Sequence, residues 1–157
     1  MTSSSIAIAS QPGVYYSNLG YKVSAGKTQW KQFPAPSNND YIETIYRSGD
    51  DNHVQAALTV RRDQMNEVVD ISEYAKKWIK DYQRFGFQIL ASNKVRAEKE
   101  IGFMFDLVHR DSGKQLRQVL FAKNKNVVTL TCRDDISSFR ETLRKCNDII
   151  RTFEWLP

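Results

Sequence analysis

Three successive segments, GFMFDLVHR (102–110), QLRQVLFAK (115–123) and NVVTLTC (126–132), are apolar at most positions in both alternating sets, and this constrains the chain more than any other feature. Ser112-Gly113 and Asn124-Lys125 between them are turn dipeptides of the kind that join antiparallel neighbours, so the segments predict a β-meander. Two-residue loops pair 106 with 119 and 119 with 130. Alternation then puts Met104, Asp106, Val108, Arg117, Val119, Phe121, Val128, Leu130 and Cys132 on one face. The other face carries Phe103, Phe105, Leu107, His109, Leu116, Leu120, Val127 and Thr129. An antiparallel sheet is apolar on both sides only when something covers each side. The expected fold class is therefore α+β, an antiparallel sheet covered by helices on both faces in an α/β/α sandwich.

Two helices are available as covers. From Ile71, the residues Tyr74, Ala75, Trp78, Ile79, Tyr82 and Phe85 recur at helical spacing, Asp70 and Glu73 supply a cap, and Gly86 follows the last turn. This predicts an amphipathic helix over 71–85 whose opposite face holds a basic stripe, Lys76, Lys77, Lys80 and Arg84. A terminal helix is predicted from Phe139, Leu143, Cys146, Ile150 and Phe153, after a capping cluster Asp134-Asp135-Ile136-Ser137-Ser138. Upstream, YIETIYRS (41–48) and HVQAALTVRR (53–62) alternate around the turn residues Gly49-Asp50-Asp51-Asn52 and predict a hairpin, with Val54, Ala56, Leu58 and Val60 on one face. FQILAS (87–92) reads as a further strand. Residues 14–26 read as short extended segments broken at Asn18 and Gly20, and Pro34 and Pro36 argue against regular structure around them. Residues 1–13 are expected to be a flexible leader ending at Pro12-Gly13, and 14–157 a single domain.

The residues that could carry chemistry are few. His53 and His109 are the sole histidines, and neither has a nucleophile and an orienting acid nearby in the pattern, so no catalytic residue is assigned. No metal spacing and no phosphate loop occurs, so no cofactor or metal is expected. Asp106 is a polar residue in mid-strand with Arg117 diagonal to it, which reads as a cross-strand ion pair and otherwise as the edge of a pocket shared with His109. Cys132 should close a strand while Cys146 lies roughly 12 Å along the following helix at 1.5 Å per residue. Both are accordingly read as small buried apolar residues, with a bridge the less favoured case. Residues 1–70 carry 6 Lys and Arg against 7 Asp and Glu, and residues 71–157 carry 17 against 11. The positive half, with Lys76, Lys77, Lys80, Arg84 and Arg117, is compatible with an anionic surface. The helix aromatics fall on the apolar face, away from those cations, so no specific nucleic acid is expected. No window is apolar enough to span a membrane.

The order of these pieces resembles the PsbP-like superfamily. The resemblance rests on GYKVSAGKTQW (20–30), the hairpin, a central helix after LTVRRD with EYAKKWIKDY, the segment GFMFDLVHR, and a last helix ending IIRTFEW, over roughly residues 14–156. Photosystem II extrinsic proteins, bacterial DcrB-type periplasmic proteins and a nuclear factor that binds the Ran GTPase share that sandwich. The resemblance implies a non-catalytic accessory module that docks on an unidentified protein partner, exported in a bacterium with its leader removed; a cytoplasmic location is the alternative. It carries over no site residue. Two other readings compete, namely binding of anionic surfaces by the basic helix face, and a small hydrolase or isomerase with a pocket near Asp106 and His109.

Overall fold

A computed structural model describes residues 13–49 and 55–157. Strands β1 (Val14–Tyr16), β2 (Tyr21–Ser24) and β10 (Glu154–Trp155) form a small antiparallel sheet in the order β1-β2-β10. Strands β3 (Lys31–Pro34), β4 (Ile42–Arg47), β5 (Ala57–Gln64), β6 (Gln88–Arg96), β7 (Ile101–His109), β8 (Lys114–Lys123) and β9 (Asn126–Asp135) form a seven-stranded sheet in the order β3-β4-β5-β9-β8-β7-β6. All pairings of the large sheet are antiparallel. Among the described residues two helices accompany it, α1 (Ile71–Arg84) and α2 (Phe139–Ile150), the second preceded by a 3-10 turn over Ile136–Ser138. Residues 1–12 of the expected leader, His53, Val54 and most of the expected hairpin turn lie outside the described residues.

The alternation of β7, β8 and β9 sends consecutive side chains into two different cores. Met104, Val119, Phe121, Val128, Leu130 and Cys132 join Phe139, Cys146, Ile149 and Ile150 of α2 in one. Phe105, Leu107, Leu120 and Val127 join Ala75, Tyr74, Trp78 and Ile79 of α1 in the other. Since neighbouring strand residues point to opposite faces, the two helices lie on opposite sides of the sheet. No residue of β3, β4 or β5 belongs to the α1 core; the helix meets β5 through the Tyr74 hydroxyl, which donates to Asp63 at 3.1 Å, and through Trp78 beside Arg61.

The helix ends follow their local chemistry. Asp70 caps α1 by accepting from the Ser72 and Glu73 backbone N–H groups at 3.1 and 3.3 Å, and Gly86 at φ +90° ends it. The expected capping cluster of α2 is arranged differently. Asp134 and Asp135 are the last residues of β9, Ser138 makes no side-chain cap, and buried Asp134 instead accepts from the Thr142 hydroxyl at 2.6 Å. Gly102 allows β7 to lie close to β8, because a Cβ there would stand 2.7 Å from the Leu120 carbonyl oxygen and 2.8 Å from the Phe121 ring.

Three expectations need correction. The β8–β9 register matches, with Val119 opposite Leu130, but Asp106 lies opposite Arg117 rather than Val119. The β7–β8 loop has four residues, Arg110 to Gly113, with Gly113 at φ +69°, and the resulting shift of two positions preserves which face each residue occupies. Pro34 does belong to a strand; β3 is at the sheet edge and Pro34 is its last residue, where a missing N–H is tolerated.

Cys132 and Cys146 form a disulfide with a Cα–Cα separation of 5.9 Å. Distance along α2 alone does not set the separation of the two cysteines, because the direction of the helix enters as well. From Cys132 to the end of β9 is roughly 10 Å at 3.3 Å per residue, and α2 folds back over the strand, covering roughly 10 Å from Phe139 to Cys146 at 1.5 Å per residue. The two lengths cancel. Closing a loop of this size stabilises the folded chain by about 3 kcal/mol through the unfolded ensemble. The Cys132→Ala/Cys146→Ala double variant is therefore expected to unfold in urea with about 3 kcal/mol less stability, and reductant should then change wild type but not the variant.

Candidate functional site

Asp106 and Arg117 stand directly across β7 and β8 on the α2 side. Arg117 donates from Nε and Nη2 to the two Asp106 carboxylate oxygens at 2.7 and 2.9 Å, and from Nη1 to Asn147 Oδ1 of α2 at 3.3 Å. The two side chains are only 15% and 19% exposed, so this is a largely desolvated bidentate pair. A cleft of about 250 Å³ adjoins it, lined by Val95, Met104, Arg117, Val119, Asn147 and Ile150 among others. With both oxygens occupied by the guanidinium, Asp106 acts as an anchor between sheet and helix.

His109 belongs to the other face. Its Nδ1 accepts from the Ser112 backbone N–H at 3.2 Å, which leaves Nε2–H to donate to the Phe85 carbonyl at 3.1 Å. The ring also packs on Phe87 with centroids 4.9 Å apart. His109 thus fastens the β7–β8 hairpin to the end of α1. Asp106 and His109 are an odd number of residues apart on one strand, so they point to opposite sides of the sheet and do not share a pocket.

The basic stripe lies along the exposed side of α1. Lys76 pairs with Glu73 at 3.1 Å and Arg84 with Asp81 at 3.6 Å, while Lys77 and Lys80 have no ion pair among the described residues. The structure does not bring these four residues together with Asp106 and Arg117, which are on the α2 side.

Sequence reasoning missed Glu43. The β4–β5 register shifts between Ile42 and Thr44, so Glu43 is the extra residue of a bulge. Its side chain is 8% exposed and joins the two sheets: Oε1 accepts from Ser17 Oγ at 2.6 Å and from the Tyr21 hydroxyl at 2.5 Å, and Oε2 lies 3.5 Å from Arg62 Nε. Burial, reinforced by Glu43, pushes the Tyr15 hydroxyl up to about 12 and holds Tyr21 well above the ordinary phenol range. Burial raises Tyr46 as well. The Tyr46 hydroxyl donates to the carbonyl oxygens of Gly13 and Val23 at 2.9 and 3.1 Å. A Glu in an alternating strand normally reads as solvated, and a bulge has no clear sequence mark, which is why the cluster was not legible.

The α1 aromatics face the core, away from the α1 cations, as the sequence predicts, but two other cations, Arg47 and Arg61, do lie against aromatic rings. The Arg61 guanidinium carbon lies 4.6 Å from the Tyr41 ring centroid and 5.4 Å from that of Trp78, and the Arg47 guanidinium carbon lies 4.0 Å from that of Phe33. Trp78 therefore contributes to the α1 core with one part of its surface and meets β5 with another.

These features define an α+β sandwich in which Glu43, Asp106 and His109 are engaged in internal contacts. Solved structures share the architecture. Cyanobacterial PsbP (CyanoP) from Synechocystis superposes with a TM-score of 0.64 at 8% identity, covering 92% of this chain and 92% of its own. LpqN, described as involved in cell envelope biogenesis of Mycobacterium tuberculosis, superposes with a TM-score of 0.60 at 13% identity, covering 94% of this chain and 91% of its own. A Bacteroides thetaiotaomicron protein matches over 94% of this chain and 49% of its own with a TM-score of 0.52 at 8% identity. The fold is PsbP-like. No protein-family model and no curated protein matches the sequence.

Two outcomes follow from the geometry. Asp106→Ala should lose about 2–3 kcal/mol in urea unfolding, because it strands a partly buried guanidinium, and Asp106→Leu/Arg117→Met should lose less than the sum of its parts by about 1–2 kcal/mol. Additive losses would mean a solvated pair. A phenol that stays neutral when folded but ionises when unfolded favours unfolding as pH rises, because the native state then binds more protons. Stability should therefore hold up to about pH 10 and fall as pH rises toward 12, with the tyrosinate absorbance at 295 nm appearing together with unfolding for Tyr15, Tyr21 and Tyr46.

Proposed function

We propose that this chain is a non-catalytic accessory module that binds another protein in an oxidising, extracytoplasmic compartment, the envelope of a bacterium fitting best. The observation that carries this reading is the Cys132–Cys146 disulfide, whose two residues are fully buried between β9 and α2. Such bridges persist in secreted and periplasmic proteins and are rare where glutathione keeps thiols reduced. The fold adds support, since one structural neighbour is described as an envelope-biogenesis protein and another is a cyanobacterial PsbP. Asp106 and His109, the residues singled out for acid–base chemistry, are held by Arg117, Ser112 and the Phe85 carbonyl, which favours a structural role for both.

The test is the thiol state in native cells. Trapping with an alkylating reagent under denaturing conditions should modify neither cysteine before reduction and both after it, in protein recovered from an extracytoplasmic fraction. Two alkylated cysteines in the freshly trapped protein would overturn the compartment.

A further inference from the structure

The part of the large sheet that α1 leaves uncovered carries side chains in rows set by the register. Lys31 lies opposite Arg47, and Ala57 opposite Arg133. Extending the β4–β5 register by one residue beyond Tyr46 and Leu58 brings Arg47 beside Ala57, so Lys31, Arg47 and Arg133 form one basic row. The next row reads Phe33, Ile45, Thr59 and Thr131, each opposite its neighbour. Arg61 lies in a third row, opposite Thr129. Rows are roughly 7 Å apart, and Lys31 to Arg133 spans three strand spacings, roughly 14 Å. Thr59 and Thr131 sit in interior strands yet are only half-buried, and Arg133 is exposed, so this part of the face is open to solvent, bordered by Arg61 where it packs on Tyr41 and Trp78.

The charges on this face are unbalanced. Its acids on β5 and β9, Asp63 and Asp135, are held by Arg61 at 3.0 Å and by Lys114 at 2.5 Å. Lys31, Arg47 and Arg133 have no acidic partner among the described residues. Arg47 is already oriented by lying over Phe33, which leaves its fork of N–H donors available. Where charge of one sign borders an apolar row, the complementary ligand places anions against the first and apolar groups against the second.

We propose that this face binds an acidic, extended peptide segment of a partner protein, with carboxylates on the row of Lys31, Arg47 and Arg133 and apolar side chains on the row of Phe33 and Ile45. The assignment rests on the protein-binding reading above and names the chemistry of the partner. A peptide advancing roughly 3.3 Å per residue covers the basic row in about five residues, and its carboxylates accept bidentate hydrogen bonds from guanidinium groups. Single-stranded nucleic acid fits less well. Bases stack on open ring faces, and here the rings of Tyr41 and Trp78 are already engaged by the Arg61 guanidinium.

The test uses the full chain and fluorescent peptides in which Glu alternates with Tyr or Leu, a matched peptide with Lys replacing Glu, an oligothymidylate, and phosphatidylglycerol vesicles. The acidic peptide should bind with an affinity that weakens as salt rises, and the Lys peptide should not bind. Arg47→Glu and Arg133→Glu should each weaken binding about tenfold or more. Lys31→Glu, at an exposed edge position, should weaken it in the same direction without threatening the fold, and Lys80→Glu on the outer side of α1 should leave it unchanged. The proposal is overturned if oligothymidylate or vesicles outcompete the peptide, or if the three reversals act no more strongly than Lys80→Glu. In-cell crosslinking separates the two levels. A protein captured through other residues, with no peptide binding here, sinks this face and leaves the protein-binding reading standing; no captured protein from any face counts against that reading itself.

Discussion

The meander of β7, β8 and β9 is apolar toward both sides, and the rest of the structure answers to that constraint. Phe105, Leu107 and Leu120 need one shelter; Met104, Val119 and Phe121 need another. One helix alone leaves half of these residues in water, at roughly 1.5–3 kcal/mol for each large side chain. The chain meets the demand by placing α1 before the meander and α2 after it, so each helix is attached to the strands it covers by a short connection. The disulfide then fixes α2 to β9 in the deeper core, and the Asp106–Arg117–Asn147 contact holds its other flank.

Much of this was legible in the sequence because it rests on periodicity. The α1 boundaries, the meander and the face assignments depend on repeats of two and 3.6 residues, which survive a small error in register. The β7–β8 pairing shows this well. Reading Ser112-Gly113 as a complete turn missed a four-residue loop, yet the even shift left Asp106 on the face first assigned to it. Where the reasoning failed, the missing quantity was direction or local distortion. The disulfide depended on α2 turning back over β9, which spacing along a helix does not reveal. Glu43 depended on a bulge, and the cation–aromatic contacts depended on where α1 stops covering the sheet, a boundary set by tertiary packing.

The candidate sites divide in the same way. The Asp106–Arg117 pair was visible as a sequence pattern, and its geometry is that of a clamp. The stripe Lys76, Lys77, Lys80 and Arg84 was visible too, but two of its members are paired along the helix. The basic row on β3, β4 and β9 could not be seen in a linear reading, because Lys31, Arg47 and Arg133 come from distant parts of the chain and only antiparallel pairing aligns them.

The small sheet has a consequence for the order of events in folding. Its middle strand, β2, is completed on one side by β1 and on the other by β10, where Trp155 lies opposite Tyr21 and Glu154 opposite Lys22. Phe153 stacks on Phe121 and Tyr21 at centroid distances of 4.2 and 5.3 Å, extending the same closure into the main core. An early strand of the domain is thus completed by a late one. The small sheet closes only through contacts separated by more than a hundred residues, so its formation waits on the intervening strands and helices and belongs to the slow, non-local part of folding.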